Sequence, residues 1–214
     1  MRDFEPITLL TSFGMVLVAT PSLQARSVPQ LVERAKAAGP GHIAYASQGP
    51  GSHMHLLMEM LNLKAGIQLN HVPYKGIPQM SMALSSGEIP LTWLGVYTAR
   101  SLIADGKVVP LAYSGEKRTS LMPGLPTMIE LGYPDVTASA WYGLLAPRGT
   151  PKPIIDKIHA DVSAVLADPA FAKEQMLAKA YEPADLKPEQ FRALIRQELQ
   201  SRQQMVKVSG AKME

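Results

Sequence analysis

No cysteine occurs among the 214 residues. Disulfides, thiolate metal sites and a cysteine nucleophile are therefore excluded, while the compartment stays open. Charge is sparse as well: Asp, Glu, Lys and Arg make up 18%, the formal net charge is +3 and no basic run stands out. Nucleic-acid binding needs a concentrated basic face, so no nucleic-acid partner is expected. No apolar run approaches the roughly 20 residues of a membrane-spanning helix. The longest apolar stretch, residues 7–20, follows Asp3, Glu5 and Pro6 and is broken by Thr and Ser. A signal peptide begins with positive charge, so no signal peptide is visible and the stretch reads as a pair of buried strands. What is present is 46% apolar content, enough to pack one large domain or two lobes.

Along the chain, helical and extended patterns alternate. Ser27-Val28-Pro29-Gln30 reads as a capping box with proline in the first turn, and Leu31, Val32, Ala35 and Ala38 follow at helical spacing up to Gly39. Residues 42–47 read as a strand, and Met54, Leu57, Met58 and Leu61 as the apolar face of the next helix. Residues 69–72 give a strand, a helix runs from the Tyr74-Lys75-Gly76 turn to about residue 85, and 91–96 and 108–114 give two more strands. A Pro-rich loop at 121–126 leads to a short helix, then to a buried strand over 136–146. Ile154, Ile155, Ile158, Val162 and Val165 mark one later helix, and Phe191, Leu194, Ile195 and Leu199 a second. Such alternation predicts an α/β fold with a parallel or mixed sheet, whose ligands collect at the carboxyl ends of strands.

The most informative stretch is 45–56, YASQGPGSHMHL. It passes from a strand through a glycine turn into a helix, where backbone N–H groups without intrahelical partners favour an anion. Ser52, His53 and Met54 would offer N–H groups to a carboxylate, Gly49 and Gly51 permit a tight turn, and Ser47 and Ser52 add hydroxyls. A plain strand-turn-helix connection with Ser52 as N-cap would look the same. His55 could bond a carboxylate or cap the turn. Tyr74, Lys75 and Gly76 open a second helix at the same edge, with Lys75 either a surface lysine or a charge partner for the ligand. His53, His55 and His71 could be read as a zinc cluster, but i and i+2 on a helix point apart, whereas helical ligand pairs take i and i+4. Trp141 and Tyr142 read as core or cleft lining, Lys117 and Arg118 as a solvated loop, and the methionines at 54, 58, 60, 80 and 82 as soft core filling.

The serial motifs DFEPITLL at 3, YASQGPGSHMHL at 45, HVPYKG at 71, GKVVPLA at 106, EKRTSLMPGLPTMIELGYP at 116 and WYGLLAPRGTPKPIIDKI at 141 resemble, in order and spacing, the extracytoplasmic solute-binding receptors of tripartite tricarboxylate transporters, the Bug family. The resemblance implies a two-lobed, periplasmic-binding-protein-like α/β fold of type II. It implies capture of a small carboxylate without chemical conversion, no cofactor, a membrane permease as partner and a periplasmic location. His55 matches the family's histidine at that point. The ligand-binding residues expected are Ser47, Gly49, Gly51, Ser52, His53, Met54, His55, Tyr74, Lys75 and Gly76. The opening βαβ region with a PFPPGG-type turn has no counterpart here, and Gly87-Glu88-Ile89-Pro90 stands where the family has a GxVD-like turn. The expected organisation is a complete second lobe over 18–140 and a partial first lobe from 1–17 and 141–214, with self-association through the incomplete lobe. The alternatives are a hydrolase using Ser52 with His53 or His55, a zinc-dependent hydrolase on the three histidines, or a truncated remnant that binds nothing; no GxSxG or HExxH is present.

Overall fold

The computed structural model describes residues 2–179 and 181–209. They form two compact units, the smaller from 2–13 with the described residues of 140–203, the larger from 14–139 with 204–209. The larger unit is built on a sheet in the order β3 (Asn70–Pro73), β2 (Ala44–Ser47), β4 (Leu91–Gly95), β1 (Phe4–Ala19), β5 (Val109–Tyr113). β2 runs parallel to β3, with Ser47 opposite Pro73, and parallel to β4, with Ala46 opposite Thr92. The second half of β1 is antiparallel to β4, and β5 is antiparallel to β1. The sheet is therefore mixed, and β2, β3, β4 and β5 all point the same way.

Residues 7–19 lie in one continuous strand, β1, rather than the expected pair. The stretch holds no turn dipeptide, and its single glycine serves packing instead. A Cβ on Gly14 would lie 2.5 Å from the Tyr113 ring, and the Gly14 N–H donates to the Tyr113 hydroxyl at 2.8 Å. Val16, Leu17, Val18 and Ala19 are all fully buried, as a central strand covered on both faces requires.

Helix α1 (Val28–Ala38) starts where its capping residues predict: Ser27 Oγ accepts the Gln30 N–H, while Gln30 Oε1 accepts from Arg26. Helix α2 (His53–Ala65) buries every residue from Met54 to Leu61 except Glu59, and stops at left-handed Gly66. It is a core helix, apolar on nearly all sides. Of the methionines at 54, 58, 60, 80 and 82 four are buried, but Met82 on α3 (Ile77–Ser86) is 73% exposed. Helix α4 (Val96–Ala104) was not expected. It follows β4 directly, with Gly95 as its N-cap and no proline or polar turn between them, so Val96 reads in sequence as a sixth strand residue. The expected short helix after the Pro-rich loop is a single turn: Leu131 N–H reaches Thr127 O, and left-handed Gly132 with Pro134 ends it. Arg118 is tied into that turn through Glu130, whose carboxylate also accepts the Thr127 N–H.

In the smaller unit, β6 (Ser139–Pro147) and β7 (Glu182–Pro183) pair with β1, Thr11 lying opposite Pro183. Helix α5 (Lys152–Leu166) leads to α6 (Pro169–Phe171), which continues through a π turn and a 3-10 turn, and α7 (Pro188–Ser209) follows, belonging to this unit as far as residue 203. Two small clusters form the core: Ile7 with Ala146 and Ile155, and Leu9 with Phe191 and Ile195. The expectation of a buried strand over 136–146 is corrected, since within β6 only Ala146 is buried and Tyr142 and Leu145 are exposed. Ile154 and Val165 are likewise exposed beside buried Ile155 and Leu166, because adjacent helical residues point about 100° apart, and Leu199, one turn beyond buried Ile195, is exposed as well.

Candidate functional site: three helix starts on one sheet edge

Four strands of the larger unit end on one edge, and three of them, β2, β3 and β4, pass there into α2, α3 and α4. At the first crossing the 47–55 segment is held by its own hydrogen bonds. Ser47, fully buried, accepts the Gly49 N–H on its hydroxyl at 3.0 Å. Gly49 and Gly51 both have positive φ, 105° and 72°, the backbone region open to glycine. Gly51 donates its N–H to His55 Nδ1 at 3.0 Å, Ser52 donates its own to Gly49 O, and Ser52 Oγ accepts the His55 N–H. The Met54 amide, second in the helix, has no acceptor within α2 and stands at the positive end of its dipole.

The second crossing is tied to the first, since the Tyr74 N–H donates to Ser47 O at 2.9 Å. The Tyr74 hydroxyl donates to Glu88, and the Lys75 N–H to the Gln79 side chain, while the Lys75 side chain is exposed. Gly76 caps α3, and with Ile77 it supplies amides that have no acceptor within the helix. The sequence-predicted residues from Ser47 to Gly76 thus lie on two linked turns. The hydroxyls of Ser47, Ser52 and Tyr74 are engaged within the protein, which leaves the helix-start amides as the groups without an acceptor in their own helices. Sequence reasoning missed the third helix start, where Val96 and Tyr97 occupy the equivalent positions on α4. Gly95 as N-cap with buried Val96 and Ala99 at i and i+3 was the available signal.

Behind the first turn His55 and His71 stack with ring centroids 4.3 Å apart, and Tyr45 lies 5.1 Å from His71. Burial lowers the pKa of His55, with Glu59 opposing; burial and then His55 lower that of His71 to about 4. Tyr45 is pushed well up by burial and by its hydrogen bond to Glu59. Glu59 was legible as the residue four positions after His55, on the same helix face.

The hydrolase alternatives find no support in this arrangement. A serine nucleophile needs its hydroxyl on a base, whereas Ser52 Oγ caps a backbone amide and the His55 ring accepts from Gly51. Among the described residues no group of three His, Cys, Asp or Glu side chains is placed to hold a metal ion. Ser52→Ala is expected to lose about 0.5–2 kcal/mol of stability through the missing cap, read as a lowered urea midpoint with unchanged slope. An unchanged midpoint would remove the cap from the account.

An α/β sheet that gathers helix starts around a glycine turn at one edge is the architecture of periplasmic binding proteins, and the comparisons place the chain within that class. Residues 1–211 match the model of the tripartite tricarboxylate transporter family receptor, and the chain belongs to that family. It is similar to BugT of Bordetella pertussis, 32% identical over the whole of this chain and 65% of that relative's length. Among solved structures it is similar to an R. palustris protein with adipate, at TM-score 0.91 and 28% identity over 98% of this chain and 69% of the other. It is also similar to MatC from Rhodopseudomonas palustris with bound malate, at TM-score 0.86 and 25% identity over 95% and 69%. The chain thus spans about two thirds of the length of these relatives.

Proposed function

We propose that this chain acts in a solute-binding receptor that holds a small dicarboxylate at the shared edge of the larger unit and passes it, chemically unchanged, to a membrane permease. The observation that carries the reading is the convergence of the α2 and α3 starts on one edge, with the side-chain hydroxyls used inside the turns and the helix-start amides without acceptors in their own helices. Met54, Gly76 and Ile77 amides suit an anion, and charge-assisted bonds from backbone N–H groups are stronger than neutral ones. Ser47, Gly49, Gly51, Ser52 and His55 shape the first turn in this reading, His53 and Met54 begin its helix, and Tyr74, Lys75 and Gly76 frame the second. Lys75 adds a mobile positive charge at the rim.

Family membership and relatives solved with adipate and with malate support a dicarboxylate over a phosphate. They also support a periplasmic location; no helix among the described residues is long and apolar enough to cross a membrane. Titration calorimetry with adipate, malate, citrate and the neutral diamide of adipate tests the proposal. The acids are expected to bind and the diamide to fail, and an acid at 100 times its Kd should stabilise the fold by about 2.7 kcal/mol. Equal binding of adipate and its diamide, or no heat and no melting shift with any acid, would overturn it.

A further inference from the structure

The first turn rests on a row of three rings, Tyr45 and His55 buried and His71 half-buried, whose contacts depend on where their protons are. At one end the Tyr45 hydroxyl donates to Glu59 Oε1 at 2.6 Å, and the Asn62 amide donates to the same oxygen at 3.1 Å. At the other end the row touches the turn twice. His71 Nε2 lies 2.5 Å from Ser47 Oγ, and His55 Nδ1 accepts the Gly51 N–H.

The second contact has only one workable protonation state. A backbone amide can donate but not accept, so His55 Nδ1 must carry its lone pair and the ring proton must sit on Nε2. A doubly protonated ring would meet the Gly51 N–H donor to donor. The ring has little room to turn away, being 5% exposed and stacked on His71. The backbone is equally confined, since Gly51 sits at positive φ between Pro50 and the cap residue Ser52.

We propose that His55 is a positioning residue for the carboxylate site, holding Gly51 and the start of α2 only as the neutral, Nε2-protonated ring, so that acid loosens the turn and weakens carboxylate binding. The proposal rests on the receptor reading above for its binding half, and on the turn geometry alone for its structural half. The ionisable groups facing the ring are Glu59 one turn along α2, Tyr45 from β2 and His71 from β3. β4, which also packs on α2, brings Thr92 and Trp93 but no ionisable side chain. Burial favours the neutral ring, and Glu59 is the group that opposes it.

Two readouts test this on the full chain. Nitrogen-15 NMR of the imidazole should show Nδ1 unprotonated at about pH 7.5, and protection of the Gly51 amide from exchange should fall about tenfold as His55 takes up its second proton, the size of one lost backbone hydrogen bond. His55→Asn places an oxygen acceptor where Nδ1 stood and cannot titrate, so its Gly51 amide should stay protected at each pH. His55→Ala should lose that protection throughout. Adipate or malate affinity, expressed as the ratio of the natural chain to His55→Asn, should fall about tenfold between about pH 7.5 and 4, a ratio that cancels protonation of the ligand itself. A protonated Nδ1 at neutral pH, or Gly51 protection that is the same in all three proteins, would overturn the positioning role. A constant affinity ratio would overturn its link to binding. If neither acid binds any of the three at neutral pH, the receptor reading falls and takes the binding half with it, while the amide measurement still decides whether His55 holds the turn.

Discussion

Phe191→Ala is expected to cost the smaller unit about 3–5 kcal/mol, a large share of the stability of any small domain. The ring is fully buried, packs with Leu9 and Ile195, and meets Trp141 edge-on at 5.2 Å between centroids. Its closest neighbour has no side chain at all: a Cβ built on Gly143 would lie 2.3 Å from Phe191 Cζ and 3.0 Å from the Thr8 carbonyl. The glycine is thus the hollow into which the ring fits, and removal of the ring leaves a void bounded by β-sheet backbone that cannot collapse inward. The converse change follows from the same geometry. Gly143→Ala alone should overpack the site and cost about 1–3 kcal/mol. The pair together should cost less than the sum, since the new methyl occupies part of the space the ring vacates. The chain has two tryptophans, Trp141 in the smaller unit and Trp93 in the larger. Trp141 fluorescence in a Trp93→Phe background during urea unfolding therefore reports the relevant unit. A loss below about 1 kcal/mol for Phe191→Ala, or strict additivity of the pair, would show that ring and glycine are not coupled.

The helices with explicit end signals were legible in the sequence. α1 has Ser27 and Gln30 before it and Gly39 after, and α2 lies between Ser52 and Gly66, so local chemistry alone fixes both. What the sequence hid were places where tertiary packing overrides a local pattern. β1 is read as two strands because nothing local reveals that Gly14 is there to admit the Tyr113 ring. α4 hides because a strand that enters a helix through a single glycine leaves no polar gap. β6 looks like a core strand by composition, yet Tyr142 and Leu145 are exposed, since apolar content records what a segment could bury and not what covers it. At the site, the glycine turn and its amides were legible from residue type. The use of the Ser47, Ser52 and Tyr74 hydroxyls inside the turns was not, because it depends on Gly49, His55 and Glu88 being brought into reach by the fold. His71 was weighed only as a metal ligand, since the 24 residues that separate it from Ser47 conceal their contact.

The burial of His71 carries the second large effect: the larger unit should lose up to about 3 kcal/mol of stability between about pH 6.5 and pH 4. In the unfolded chain His71 takes up its proton near the ordinary histidine value of 6.5, whereas in the fold burial and the neighbouring His55 hold it neutral down to about 4. Between those values the unfolded state binds more protons than the native state, so stability rises with pH across the window and is lost as pH falls through it. Some water reaches the half-buried ring, which makes the quoted figure an upper bound. His55, also held low, acts in the same direction, and the two rings titrate as a coupled pair. Carboxylates contribute in a separate range. Glu130 is held below its ordinary 4.5 by the Thr127 N–H and by Arg118, so its contribution is lost only as pH falls below that value. Urea unfolding followed by Trp93 fluorescence in a Trp141→Phe background at about pH 7, 5.5 and 4.5 isolates the histidine window. His71→Gln keeps a nitrogen near the Nε2 position and removes the titration, so its midpoint should fall less over the same range. A natural chain whose midpoint is flat down to about pH 4.5, or a His71→Gln variant that loses as much as the natural chain, would mean that the ring stack takes up protons in the fold as readily as in the unfolded chain.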